Sequence, residues 1–231
     1  MSDSKKKINT KDNIFYFFIF TLAYTVIMQI SGGGNKMVKL ITYVLLVFIV
    51  QYFINSQLSA KICGEVQYQA VFFNTFLPWI LIFGLLVLCL NSFPGWLRPF
   101  SNTFGYSAAK FGGIDKVSRA IFKTSTEYDA SNTDKTIISN LENIYNNPSQ
   151  MINEIPLEFY TEKLDDGREI SKWDFWERMN EAKLIKDEVY ADQTDVLKNK
   201  FLSLIRLKDN ISFFFWYLLT GILSIVVSEN F

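Results

Sequence analysis

Four long stretches without a charged residue constrain this chain more than anything else in it: Ile14 to Ile30, Leu40 to Ile54 with uncharged residues continuing to Ala60, Ala70 to Leu90, and Ile211 to Ser228. A bilayer's hydrocarbon core is roughly 30 Å thick and an α-helix rises about 1.5 Å per residue, so a run of about 20 apolar residues makes one crossing. Backbone polar groups in lipid must be satisfied internally, so such runs become helices. The expected fold is a mainly α, multi-span membrane protein with about four transmembrane helices. A helix-rich soluble domain is expected between spans three and four, where the charged residues gather.

The chain divides accordingly into a basic N-terminal tail (1–13), three membrane spans (14–91), an aromatic elbow (92–113), a soluble domain (114–210) and a fourth span (211–228). The tail carries Lys5, Lys6, Lys7 and Lys11. A basic start, an apolar run and the small residues Ser31 to Gly33 fit a secretory signal in outline, but the run's length and aromatic content favour an uncleaved anchor. Ser31-Gly32-Gly33-Gly34-Asn35-Lys36 reads as a turn, because the spacing and the strand-to-helix context of a phosphate-binding loop are missing. The third run holds Asn74 and Pro78. Proline is tolerated in membrane helices, and a lone polar residue near a helix end does not make a pathway.

Composition narrows the chemistry. The chain has no His, which removes Ser-His-Asp and Cys-His catalysis, His-ligated metals and His-based pH switching. Cys63 and Cys89 lie near opposite ends of the third run, so they read as free thiols beyond each other's reach. Formal net charge is zero, which argues against a nucleic-acid partner. The stretch from Arg98 to Asp209 carries 16 basic and 19 acidic residues, a mildly acidic, solvated surface. Asp165-Asp166 and Asp187-Glu188 read as solvated carboxylates. Asp129 to Asp134 lacks the ligand spacing, central Gly and closing Glu of a calcium loop. Trp173 and Trp176 read as core or interfacial aromatics rather than a binding platform. No catalytic, cofactor-binding or metal residue, and no small-molecule substrate, is expected.

Within the soluble segment, Lys116 to Lys123 and Asp134 to Asn146 have helical spacing, the second ended by Pro148. Leu157 to Tyr160 and Arg168 to Ile170 flank Asp165-Asp166-Gly167 and predict a hairpin. From Trp173 a helical pattern runs to about Leu207, with a drift near Asp192 to Asp195 that allows two helices. Asp209 and Asn210 would cap the fourth span. The charges give conflicting votes on sidedness. The N-terminal lysines place that end in the cytosol, yet Lys198, Lys200, Arg206 and Lys208 put the soluble segment there too, which four spans do not allow. The free thiols and the lack of usable glycosylation signals lean towards a soluble segment facing the cytosol.

The elbow is the stretch of most interest. Phe93, Trp96, Phe100, Phe104 and Tyr106 are residue types that settle at the headgroup level, and Arg98 has the reach to meet lipid phosphate. Pro94 and Pro99 break a single regular helix, and Gly105, Gly112 and Gly113 suggest an irregular path beyond. Phe93, Trp96, Arg98, Phe100, Phe104 and Tyr106 are the candidate membrane-interface and partner-docking residues.

Trp96-Leu97-Arg98-Pro99-Phe100-Ser101-Asn102-Thr103-Phe104-Gly105-Tyr106, after the third span, and Trp216-Tyr217-Leu218-Leu219-Thr220-Gly221, within the fourth, resemble small membrane proteins of large icosahedral nucleocytoplasmic DNA viruses, whose capsid encloses a lipid layer. The resemblance covers roughly the last 140 residues and leaves the first two spans aside. It implies a structural virion component in the internal membrane, assembled on host-derived cytoplasmic or ER membrane. The implied partners are the lipid bilayer and other minor capsid proteins. It brings no catalytic residues. The competing expectations are a channel or transporter subunit, for which Gln51 and Asn74 are the few inward polar residues available, and a membrane-bound enzyme, for which no reactive cluster exists.

Overall fold

The computed structural model describes residues 10–31, 36–124, 148–164, 167–191 and 194–229. The chain is a mainly α multi-span membrane protein. Its helices are α1 (Thr10–Ile30), α2 (Lys36–Cys63), α3 (Tyr68–Pro78), α4 (Leu85–Ser92), α5 (Arg98–Phe100), α6 (Tyr106–Phe111), α7 (Ile114–Ile121), α8 (Pro148–Glu154), α9 (Asp174–Glu181), α10 (Asp187–Tyr190) and α11 (Val196–Ser228). Four helical stretches are long and apolar enough to cross a membrane: Lys11–Ile30, Met37–Cys63, Tyr68–Leu90 and Val196–Ser228. The chain forms two compact units, one made of the residues up to Phe100 with those from Ser212, the other of Ser101–Ile211.

The first unit is a helix bundle. The third span is not a single α-helix: α3 ends at Pro78, and a wide π-helical stretch, Trp79–Gly84, joins it to α4. Proline lacks the N–H that would close the preceding turn, and a π-bulge absorbs the mismatch without exposing backbone to lipid. The interior is aromatic, built on Phe17, Tyr43, Val47, Trp79, Phe83, Tyr217 and Ile225. Tyr24 stacks on Tyr43 at 4.4 Å, and Phe17 meets Trp79 edge-on at 5.7 Å. Gly221 lets α11 close on α1: a Cβ there would lie 2.0 Å from Phe17 Cζ, so only a residue with no side chain admits the ring.

The second unit has a core of the kind found in water, with Ile114, Ile121, Phe122, Ile152, Trp173, Trp176, Ile185, Phe201 and Ile205 all buried. Trp173 and Trp176 are core residues, and the Trp173 indole N–H is satisfied by Pro156 O at 3.0 Å. The expected hairpin is present: β1 (Phe159–Lys163) pairs antiparallel with β2 (Glu169–Trp173), register Phe159↔Trp173 to Lys163↔Glu169. Gly167 takes φ 83 in the turn, the left-handed conformation glycine adopts without strain.

Several expectations need correction. The helical pattern read from Trp173 to Leu207 is the end of a strand followed by α9, α10 and the start of α11. The interruptions are at Lys183 and Asp195, whose φ values of 57 and 52 stop a right-handed helix. Between them, the chain pairs Ile185 with Phe122 in an isolated bridge. The helix that carries the fourth apolar run begins well before Ile211. Val196–Ser228 is one helix, with Asp209 and Asn210 in its interior rather than at a cap. No Pro occurs in that stretch and nothing else ends it. Pro148 opens α8, the position where its missing N–H costs least. The expected helix 134–146, the calcium-like stretch 129–134, the pair Asp165-Asp166, the triple glycine and Lys5 to Lys7 lie outside the described residues.

Candidate functional site

The elbow is helical, not irregular. A 3-10 turn (Pro94–Leu97), α5 and a π-helical stretch (Ser101–Gly105) lead without a gap into α6. Both prolines stand at helix beginnings, Pro94 opening the 3-10 turn and Pro99 second in α5, where no intrahelical donor is needed. The chain leaves α4 at Phe93, whose non-helical backbone (φ −129, ψ 70) starts the new direction.

The two units divide the elbow between Phe100 and Ser101. On the first unit, three of the expected residues come together. Phe93 stacks on Trp96 at 5.6 Å, Trp96 lies 6.2 Å from Trp216, and Phe100 meets Trp216 edge-on at 5.9 Å. Trp216, from α11, is the member that sequence reasoning left out of the docking set. Nothing local marks it, because it is joined to the elbow only through the fold. Phe93 and Trp96 still expose about half of their surface, 56% and 47%, as interfacial aromatics do. Arg98 is exposed.

On the second unit, Phe104 is exposed and Tyr106 packs against the core. The Tyr106 hydroxyl donates to Asp115 Oδ1 at 3.2 Å. Burial, and then the neighbouring Asp115 carboxylate, push this phenol above its ordinary range. The elbow's opposite face is a stripe of small residues, Ser101, Gly105 and Ala109, all buried.

A second constellation lies inside the bundle, and most of it was missed. Gln51 was recognised, but Asn74 is only half-buried and its neighbour Thr75 is the residue turned inward. Asn13 Nδ2 donates to Glu229 Oε1 at 2.7 Å, and Asn13 Oδ1 accepts from Gln51 Nε2 at 2.7 Å. One turn along α2, Asn55 Nδ2 donates to Thr75 Oγ1 at 2.8 Å. The Thr21 and Tyr43 hydroxyls share a 2.8 Å bond between α1 and α2. The carboxylate only accepts, so it sets the direction of the first chain of bonds and leaves Gln51 Oε1 without a partner among the described residues, as is Asn55 Oδ1. Asn13 and Glu229 are 216 positions apart, so no sequence spacing announces this network.

The basic cluster before the fourth span also has a place in the fold. Lys208 is buried and donates to Ile152 O at 3.0 Å, Arg206 lies over the Phe159 ring at 5.7 Å, and Lys198 lies over Trp176 at 5.7 Å. These cations have packing roles within the second unit, which weakens them as a vote on sidedness. Asp187 is solvated, as read, its side chain 95% exposed while it pairs with Lys123 at 2.8 Å. Cys63 and Cys89 are free. Among the described residues, no three His, Cys, Asp or Glu side chains gather where they could hold a metal ion. No protein-family model, curated protein or solved structure matches this chain.

Proposed function

We propose that this chain is a structural, non-enzymatic membrane protein that holds a protein layer against a bilayer. The observation that carries the reading is the insertion of a folded unit with its own core between the third and fourth membrane helices. A domain tethered at both ends stays close to the lipid surface, which suits a bridge and not a diffusing catalyst. The aromatic elbow Phe93, Trp96 and Phe100, packed on Trp216, supports it as an aromatic belt suited to headgroup level. In its specific form, the reading is a virion membrane protein that links the internal lipid membrane of a large icosahedral DNA virus to the minor capsid network. Its partners are then lipid and other minor capsid proteins, with no role for nucleic acid or a small-molecule substrate.

The test is a Trp96→Ser, Phe100→Ser double variant beside the wild type, followed by cross-linking of purified particles. The variant is expected to insert normally, to gain protease sensitivity between Ser101 and Ile211, and to lose capsid cross-links. Unchanged proteolysis and unchanged capsid cross-linking would reduce the elbow to a linker and overturn its part in the bridge.

One observation favours a second reading, a channel or transporter subunit: polar groups within membrane helices often mark pathways, and Gln51 Oε1 and Asn55 Oδ1 lie buried one helical turn apart without a partner among the described residues. Ion flux through vesicles holding the purified chain, abolished by Gln51→Leu, would establish that reading. Its absence would leave the network as a clamp between helices.

A further inference from the structure

Helix α6 ends on a ring that its own unit leaves uncovered. Phe111 is 94% exposed, while Ala109 and Ile114 on either side are fully buried. The corner is firmly built. Gly112 N–H donates to Ala108 O at 3.0 Å and Gly113 N–H to Lys110 O at 2.9 Å. Gly113 has φ +89, and a Cβ on Gly112 would lie 2.5 Å from Leu204 Cδ2, so the turn is pressed against α11. The side chain is therefore held outward by a fixed backbone. Phe104, seven positions earlier, shares its helical face and is 48% exposed. Lys110 is exposed next to Phe111, its ammonium 6.0 Å from the Tyr106 ring.

We propose that Phe111, with Phe104 on the same face, is a wedge that enters the headgroup layer of the bilayer, with Lys110 meeting lipid phosphate. Two aromatic rings flanked by a lysine are the chemistry of interfacial insertion. The occupant is identified by the chain itself. This is a membrane protein whose third span runs to Leu90, with α4 continuing to Ser92; beyond Phe93 the chain to Phe111 is wound into short helical segments, which keeps the ring within about 30 Å of the end of α4. The wedge deepens the reading of 92–113 as an interfacial segment but requires no capsid partner, so the two can fail separately.

The experiment uses the full chain with Cys63→Ser and Cys89→Ser, labelled with an environment-sensitive fluorophore at Phe111→Cys. A second sample carries the label at Glu188→Cys, an exposed position on α10. Both are reconstituted in protein-free phosphatidylcholine vesicles with and without a lipid bearing a nitroxide near the headgroup. The expected result is a blue-shifted label at position 111, quenched several-fold more strongly than at position 188. Equal quenching at the two positions overturns the proposal. A change at position 111 that follows protein concentration instead of the nitroxide also overturns it, and assigns the ring to a second copy. Phe111 touches little of its own unit, so loss of folding does not confuse the result; unchanged limited proteolysis verifies that.

Discussion

In the membrane unit, the side chains hidden from the surroundings include Asn13, Thr21, Gln51, Asn55, Thr75 and Ser224, while Phe15, Leu45 and Leu88 stand exposed. Between Ser101 and Ile211, the hidden set is Ile114, Ile121, Trp173, Trp176 and Phe201, and Lys116, Arg119 and Glu188 face outward. One chain thus obeys two burial rules, because it meets two solvents. Hydrocarbon does not drive leucine inward, so bundle helices associate through close packing and polar contacts. Water does, so the second unit condenses around aromatic and branched residues. The hydroxyls show the same contrast. Thr21, Thr25, Thr220 and Ser224 each donate to a carbonyl of their own helix, four positions back, and so enter the bundle interior without an orphaned group.

The difference can be probed by substitution. The largest effect is expected from Trp176→Ala, which empties the water-type core. A loss of ~3–5 kcal/mol is ordinary for such a truncation, enough to unfold the second unit while the helices stay inserted. Protease digestion of membrane fractions would register cleavage between Ser101 and Ile211 with no loss of alkali-resistant protein; solubilisation by alkali would show that the two burial rules are not separable. Next comes Gly221→Leu, which drives a side chain into the Phe17 ring. Overpacking of this kind costs ~1–3 kcal/mol and should lower the bundle's resistance to denaturing detergent, with Phe17→Ala restoring part of it. Absence of rescue would disprove the close approach of α1 and α11.

A smaller loss follows from Gln51→Leu. Side-chain hydrogen bonds inside membranes average about 0.6 kcal/mol, with a maximum of about 1.7, so the bundle should weaken slightly. A loss as large as that of Trp176→Ala would mean that the network, not packing, holds the helices together. The smallest effect is expected from Arg98→Gln, since an exposed charge beside polar headgroups contributes little after solvation. Limited proteolysis in vesicles should match the wild type, and a marked difference would show that the guanidinium's interactions help to hold the elbow.

The four spans, the hairpin and, two residues out of place, the helix read at 116–123 and found at Ile114–Ile121 were legible because each depends on a local pattern: an uncharged run, a Gly turn, a helical repeat. The continuity of α11 was not. Asp209 and Asn210 look like a cap in isolation, but the left-handed residue that ends the preceding segment is Asp195, and a single φ leaves no periodic trace. The Asn13–Gln51–Glu229 network was illegible for another reason. Two of its members lie at the edges of apolar runs, where polar residues are ordinary. Phe104 was named from its residue type alone, whereas the exposure of Phe111 depends on the Gly112–Gly113 turn and on Leu204 packed beneath it.

The meeting of Phe17 with Gly221 joins the first helix to the last, and this gives the bundle a schedule. At about 5–20 residues per second, a ribosome needs on the order of 10–40 s to travel from one to the other. During that interval α1 leans on α2, through Thr21 with Tyr43 and Asn13 with Gln51, whose side chains emerge within 38 positions, and then on the third span, through Phe17 with Trp79. The first three spans hold α1 while the intervening chain is made, and the bundle is complete only when the final helix arrives to take Phe17 against its glycine.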